Sequence, residues 1–307
     1  MGLIAALGAL ARFGRWVLPV GLAAGVLLPD LAALLRPWLP HMAALLLTLS
    51  AFRTGLRRGV GSGGEILQAL GLLALLQLAL PFGVALALGA LSVPPLPAVA
   101  AALMVLAGSP ISGAPNIAVL LGRAPEVPLR LLLVGTAILP LTSLAVFAAW
   151  PALTGGQSLT GPVLRLMAVV LGGGALGFAL RAGVSRHLNA QRTAAVDGLS
   201  TLVLAVMVIG LMSAVGPALR QAPADLAFWL IYASALNFGL QLATRALLRR
   251  SPLRDVAEGI AIVAGNRNIA LFLVALPAEV IAPLLLFIGC YQVPMFLTPL
   301  VMARIWR

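Results

Sequence analysis

Long apolar runs, separated by short polar or Pro/Gly-rich breaks, fill this chain from end to end. A run of roughly 20 apolar residues is what an α-helix needs to cross the hydrocarbon core of a bilayer. No break is long enough to separate soluble domains, so we expect residues 1–307 to form one integral membrane unit. The pattern predicts an all-α polytopic protein with ten transmembrane spans, at residues 13–31, 38–53, 66–91, 97–121, 128–150, 161–180, 198–215, 224–247, 255–277 and 280–303.

The composition agrees with that prediction. Hydrophobic residues make up 62% of the chain and charged residues 9%, and the mean hydropathy is +1.10. These values exclude a soluble globular protein. The single cysteine, Cys290, excludes an internal disulfide, and His41 and His187 have no partner at metal-ligand spacing. We therefore expect no metal site and no organic cofactor.

The net charge of +12 would suggest a nucleic-acid partner in a soluble protein, but the placement of the charges indicates a membrane topology instead. All 20 basic residues are arginine. In the ten-span scheme Arg36, Arg165 and Arg220 lie on one side of the bilayer, and Arg267 lies within a span. The opposite side receives the other sixteen, which are Arg12, Arg15, Arg53, Arg57, Arg58, Arg123, Arg130, Arg181, Arg186, Arg192, Arg245, Arg249, Arg250, Arg254, Arg304 and Arg307. The positive-inside rule then predicts a multi-pass protein of the inner (plasma) membrane with both termini in the cytoplasm.

Two of the ten spans carry interruptions. The first contains GSPISGAPN, residues 108–116, and the second contains AGNRN, residues 264–268. Each proline within a helix removes a backbone hydrogen bond and costs about 3 kcal/mol. We therefore expect the fourth span to be non-helical near Gly108 to Pro115 and the ninth near Gly265. In hydrocarbon, opened backbone must line a cavity or pack within protein, so paired interruptions indicate a transporter binding site.

The interruptions lie at matching places in two halves of five spans each. Asn116-Ile117-Ala118 in the first half repeats as Asn268-Ile269-Ala270 in the second, and Pro140 and Pro294 follow at similar distances. An odd number of spans in each half inverts the second half relative to the first. The spacing thus predicts two inverted five-helix repeats.

These motifs carry a family resemblance. The segment SPISGAPNIAVLLGR, from Ser109 to Arg123, resembles the fourth-span motif of the bile acid:sodium symporter family, and VAGNRNIAL resembles the ninth-span motif. The resemblance implies that the two broken helices cross, that Asn116 occupies a sodium-site position, and that sodium is a coupling ion. Gln77, near Pro81, resembles a glutamine that precedes a proline in the family, with slightly different spacing. It also implies panel-type helices in residues 13–60 and 161–216 and core-type helices in residues 64–151 and 223–304.

The chain departs from that family at the ninth span. Sodium-coupled members carry a glutamate shortly before the polar cluster, where this chain has Ile262, Val263 and Ala264. Glu258 lies further toward the cytoplasmic end of the span and would replace that glutamate only if the helix register differed. Arsenical-resistance permeases are distant relatives, but Ser109 stands at the position of their thiolate-forming cysteine.

A charge within a span points to function. Arg267 costs about 2.5 to 3.5 kcal/mol to insert at a bilayer centre, and no other span offers a central carboxylate. We interpret it as an anion-binding or cation-replacing charge, against the alternative of a structural cap on backbone carbonyls. Asn266 is expected to be the N-cap of the second half-helix or to contact solute. The full set of candidate substrate- and ion-binding residues is Gln77, Ser109, Ser112, Asn116, Asn266, Arg267 and Asn268.

The roles of the neutral candidates divide between structure and binding. We expect one of Ser109 and Ser112 to cap a half-helix, and Asn116 to face the cavity from the first turn that follows Pro115. Gln77, Asn237 and Gln241 are expected to form interhelical hydrogen bonds, with a site role for Gln77 implied by the resemblance.

The sequence favours a secondary active transporter that moves a small organic anion by alternating access, with lipid as its surroundings. The alternatives are a sodium-independent carrier, proton-linked or uncoupled, in which Arg267 replaces the cation, and a metalloid efflux permease. A membrane enzyme would need a constellation of carboxylate, histidine or nucleophile near an interface, and none is visible in the sequence.

Overall fold

The computed structural model describes residues 2–12, 14–54, 61–156, 158–184 and 188–306. Four arginines of the topology prediction, Arg57, Arg58, Arg186 and Arg307, lie outside the described residues, as does His187. The chain is about 86% helical. Within these described ranges, the one departure from an all-α structure is a pair of two-residue strands.

The described part of the first half consists of helices and one short strand. A 3₁₀ turn at Arg36–Trp38 separates α3 from α4, and a π-helical segment at Ala74–Ala79 separates α5 from α6. In order they are α1 (Leu3–Arg12), α2 (Gly14–Leu27), α3 (Pro29–Leu35), α4 (Leu39–Thr54), α5 (Gly63–Leu73), α6 (Leu80–Ala90), α7 (Pro97–Ala107), β1 (Ser109–Pro110), α8 (Ala114–Leu120) and α9 (Glu126–Ala149).

The second half continues in the same way. A π-helical segment at Ala168–Gly172 joins α10 to α11, and a 3₁₀ turn at Ile269–Leu271 follows β2. The elements are α10 (Thr160–Met167), α11 (Gly173–Val184), α12 (Ala190–Leu211), α13 (Val215–Gln221), α14 (Pro223–Leu248), α15 (Ala257–Gly265), β2 (Arg267–Asn268), α16 (Phe272–Ala275), α17 (Ala278–Ile281) and α18 (Leu285–Ile305).

Within the described residues, seven helical stretches are long and apolar enough to cross a membrane. They are Pro29–Thr54, Gly63–Ala90, Glu126–Ala149, Thr160–Val184, Ala190–Gln221, Pro223–Leu248 and Ala278–Ile305. Six of them overlap one predicted span each, and Pro29–Thr54 covers the second predicted span and the last three residues of the first. The predicted fourth and ninth spans are divided by breaks, and the first is divided where α2 ends at Leu27 and Pro29 opens α3. The fold is thus a helical membrane protein, and the ten-span inverted repeat stays a prediction.

One compact unit comprises Met1–Arg58 and Met167–Ala227. Its central helix is α12, which packs against α1, α2, α3 and α4. Arg53 pairs with Asp197 of α12 at 2.5 Å. Arg181 donates hydrogen bonds to the carbonyls of Phe52 and Arg53, each at 2.7 Å, so a cation covers the negative carboxyl end of α4.

The other compact unit comprises Gly59–Leu166 and Phe228–Arg307. Its central helix is α9, which packs against α5 to α8, α15 and β1. Ser62 and Glu65 form a reciprocal capping box at the start of α5, and Arg130 of α9 forms an ion pair with Glu65. A buried apolar cluster joins α5, α8, α9, α15 and α18 around Leu73, Ala118, Leu131, Ile260 to Val263 and Met302.

Close packing of α11 on α4 gives a test of the first unit. Gly177 lies against main-chain atoms of α4, where an added Cβ would meet the carbonyl oxygen of Thr48, would lie 2.8 Å from Ala51 Cβ and would lie 2.9 Å from Phe52 N. We predict that Gly177→Ala lowers the free energy of unfolding in detergent by about 1 to 3 kcal/mol through overpacking.

Gly174 on the same helix is the matched control, because a Cβ there meets nothing within 4 Å. Gly174→Ala should raise stability by about 0.5 to 1 kcal/mol through the better helix propensity of alanine. Thermal unfolding of both variants measures the difference, and equal effects would contradict the packing described here.

Candidate functional site

The first interruption opens the fourth predicted span. Helix α7 ends at Ala107, and Gly108 has extended dihedral angles, φ −61° and ψ 148°. Strand β1 follows, and α8 begins at Ala114 with Pro115 in its first turn. Proline is favourable there because the first helical residues have no internal acceptor for their N–H groups. The prediction of a non-helical segment here is confirmed, with α8 resuming two residues earlier than expected.

The second interruption opens the ninth predicted span. Helix α15 ends at Gly265, Asn266 leaves the helical region with φ −104° and ψ 89°, and β2 follows. The chain then resumes as a 3₁₀ turn at Ile269–Leu271 and a short helix, α16. The prediction of a break near Gly265 is confirmed.

The two interruptions meet each other. Strands β1 and β2 pair antiparallel, with Ser109 opposite Asn268 and Pro110 opposite Arg267. The N–H of Ile111 also donates to the carbonyl of Asn266 at 3.0 Å. Backbone groups that have left their helices would be costly in an apolar interior without partners. Here the unwound segments provide partners for one another. The candidate site therefore lies where the break between α7 and α8 meets the break between α15 and α16.

Arg267 is buried beside this pairing, at 1% relative exposure. Its guanidinium donates to three main-chain carbonyls: Nε to Ala264 at 2.9 Å, Nη1 to Gly108 at 3.1 Å and Nη2 to Leu76 at 3.3 Å. In the described part of the chain it forms no ion pair with a carboxylate. Each of these contacts is to a backbone carbonyl, as the alternative interpretation of Arg267 as a structural cap expects. Ala264 and Gly108 lie at helix carboxyl ends, whose partial negative charge suits a cation.

Asn266 binds the helix that precedes the break and does not cap the helix that follows it. Its Nδ2 donates to Ile262 O of α15 at 2.8 Å, and its Oδ1 accepts from Thr298 at 3.1 Å and from Asn237 at 3.3 Å. The expected N-cap role is therefore wrong, because the helix before the break ends at Gly265 and leaves Asn266 to satisfy that helix's carboxyl end. Asn268 is the residue that precedes the next helical turn, and its side chain forms no capping bond.

A buried polar network surrounds the same helix end. Asn237 Nδ2 donates to the Gly265 carbonyl at 2.6 Å, and Tyr291 Oη donates to the same carbonyl at 2.5 Å. Gln241 Nε2 donates to Asn237 Oδ1 at 2.8 Å and to Thr298 Oγ1 at 3.2 Å. The interhelical role expected for Asn237 and Gln241 is confirmed. Sequence reasoning missed Tyr291 and Thr298, whose only signal is a polar group in an apolar final span.

Gln77 lies in the π-helical segment between α5 and α6 and is fully buried. Its Nε2 donates to the carbonyl of Gly135 at 2.9 Å and to Thr142 Oγ1 at 3.0 Å. Its Oε1 has no partner in the described structure. The predicted interhelical bonding is confirmed. Because Leu76, the residue before it, binds Arg267, the structure brings Gln77 to the site as well.

The three remaining candidates belong to the first interruption. Ser109 is fully buried, and its Oγ has no partner among the described residues. Ser112 and Asn116 are exposed. The residue that precedes α8 is Gly113, and no side chain caps it, so the expected capping role for a serine is wrong. Glycine leaves that helix start uncapped, and both hydroxyls stay available for other contacts.

Glu258 does not lie at the break. It is in the first turn of α15, where it forms ion pairs with Arg123 and, at 3.0 Å, with Arg245. Its charge is therefore neutralised by two arginines at the far end of the helix from Arg267. Within the described residues, no group of three or more His, Cys, Asp or Glu side chains is placed to hold a metal ion.

No protein-family model matches this chain, and no curated protein matches it. The resemblance to the bile acid:sodium symporter family therefore depends on the two sequence motifs. The pairing of the two interruptions is a feature of the structure that does not depend on this resemblance.

The tight contact at Gly135 tests this geometry. A Cβ on Gly135 would lie 2.8 Å from Pro110 Cδ and 3.0 Å from Gln77 Oε1. Because the Pro110 ring cannot rotate away, we predict that Gly135→Ala displaces β1 and lowers the free energy of unfolding by about 1 to 3 kcal/mol. Thermal unfolding in detergent measures this loss.

Gly71, on α5, is the control, because a Cβ there meets nothing within 4 Å. Gly71→Ala should leave stability unchanged or slightly higher. If Gly135→Ala is as stable as Gly71→Ala, the contact between α9 and the first interruption is absent in the protein.

Proposed function

We propose that this protein is a secondary active transporter that moves a small organic anion across the inner membrane by alternating access. The observation that carries the proposal is the meeting of two helix interruptions around a buried cation. Transporters build midplane sites from discontinuous helices, because unwound backbone is tolerated only where it packs in protein or lines a cavity. The seven long apolar helices supply the membrane setting that such a site requires.

The charge of the site favours an anionic solute. Arg267 contributes a fixed positive charge with no carboxylate partner in the described structure, and three of its five N–H groups are used by carbonyls. In the first interruption and the first turn of α8, the exposed side chains of Ser112 and Asn116 present hydroxyl and amide donors. In this proposal Ser112 and Asn116 contact the solute directly, and Arg267 provides positive potential from the buried side.

The topology that accompanies the proposal is ten spans in two inverted repeats, with the broken spans fourth and ninth and both termini cytoplasmic. The arginine asymmetry and the odd number of spans in each half support it. Metalloid efflux is the weaker candidate, because Ser109 provides a hydroxyl where a thiolate would be needed.

Solute uptake into proteoliposomes tests the function. We predict protein-dependent uptake of at least one member of a panel of small carboxylates and sulfonates. Arsenite is included in the panel as the metalloid probe. Uptake of no anion, together with arsenite flux, would favour the permease, and no flux of either solute would contradict transport.

The double variant Ser112→Ala/Asn116→Ala should lower that uptake about tenfold, because two polar contacts of about 0.5 to 1.5 kcal/mol each are lost. Ser200→Ala is the matched control, since the Ser200 hydroxyl donates to the Val196 carbonyl of its own helix and lies outside the interruptions. A double variant with the uptake of the control would show that these side chains do not contact the solute.

Terminal reporter fusions test the topology. Reporters that are active only in the cytoplasm should be active at both ends of the chain, and export-dependent reporters should be inactive there. A terminus found on the outer side would contradict the even number of spans.

A further inference from the structure

The carbonyls around Arg267 come from three separate segments of the chain. Ala264 belongs to the last turn of α15, Gly108 follows the end of α7, and Leu76 lies in the π-helical segment. Converging main-chain oxygens at helix carboxyl ends are the ligands that transporters use for coupling cations, because the ends carry partial negative charge. In this protein a guanidinium occupies that position.

The carboxyl end of α15 is bound by further side-chain donors. Three carbonyls of its final turn accept from side-chain donors: Ile262 from Asn266, Ala264 from Arg267, and Gly265 from Asn237 and Tyr291. An inorganic cation would have to displace these donors before it reached the carbonyl oxygens.

The region also contains oxygen atoms beyond those that Arg267 uses. Gln77, next to Leu76, and Ser109, next to Gly108, each have a buried side-chain oxygen without a partner in the described structure. Buried polar atoms in proteins normally have partners. Neutral oxygen atoms, main-chain carbonyls above all, are ligands that transporters use for monovalent cations at broken helices.

We propose that Arg267 is a tethered cation, which permanently fills a monovalent-cation site formed by these main-chain oxygens. The protein then needs no inorganic cation at this place, and removal of the guanidinium opens the site to one. The consequence for coupling, a sodium-independent carrier, rests on the proposed transport function, whereas the occupancy of the site does not.

Thermal unfolding of the purified protein tests the occupancy without any transport. For the natural protein we expect the same melting temperature in sodium, potassium and choline chloride at equal ionic strength. A rise specific to sodium would show an inorganic cation in the folded protein and would overturn the proposal.

The decisive variant is Arg267→Ala, which removes the charge and leaves a void. We expect its melting temperature to fall by about 5 °C or more. Added methylguanidinium or sodium should restore at least half of that loss and should saturate with concentration, whereas choline should not. Arg267→Met is also neutral but fills the void, so added cations should not raise its melting temperature. Asn237→Ala removes a neutral donor from the same helix end and should likewise show no recovery with cations.

Arg267→Lys keeps a tethered charge and should melt above Arg267→Met, independent of added cations. If Arg267→Met is as stable as Arg267→Lys, the site needs no charge and the proposal is wrong, even if Arg267→Ala does not fold. If Arg267→Ala folds and no cation stabilises it, the proposal is also wrong. Because these readouts are melting temperatures, a failure of anion uptake would contradict the proposed function and leave this result standing.

Discussion

The pairing of two unwound segments is the constraint on which the site depends. A helix that opens in an apolar interior leaves N–H and C=O groups that need partners. Here Ser109 and Pro110 pair with Asn268 and Arg267, and the N–H of Ile111 is bonded to Asn266. Each break therefore provides hydrogen-bond partners for the other, and this short pairing brings Ser109 and Arg267 together.

The electrostatics of the site follow from the same constraint. The break leaves carbonyls at the ends of α7 and α15, and the guanidinium of Arg267 binds one from each end. The nearest acidic residue on α15, Glu258, is bound instead to Arg123 and Arg245 at the start of the helix. Dipoles of the backbone, rather than a carboxylate, thus stabilise the buried charge.

Much of this architecture was readable from the sequence, because apolar run length and clustered Gly and Pro act locally. Both breaks fall where the Gly108 to Pro115 cluster and Gly265 predict them. The partners of Arg267 were not predictable, since the carbonyls of Gly108 and Leu76 reach it only through the folded packing. The N-cap expected at Asn266 was wrong because it depends on which residue ends α15, and local propensity does not fix helix ends to one residue.

In the proposed function, solute binds at the meeting interruptions. The most direct measurement is the rate at which a membrane-impermeant thiol reagent modifies Ser112→Cys in proteoliposomes, with and without a saturating concentration of the anion they take up. Cys290 is buried, and Ser158→Cys, on an exposed turn, reports any general effect on the reagent. We expect the anion to slow modification at Ser112→Cys and to leave the rate at Ser158→Cys unchanged. Equal rates at Ser112→Cys with and without the anion would contradict binding at the interruptions.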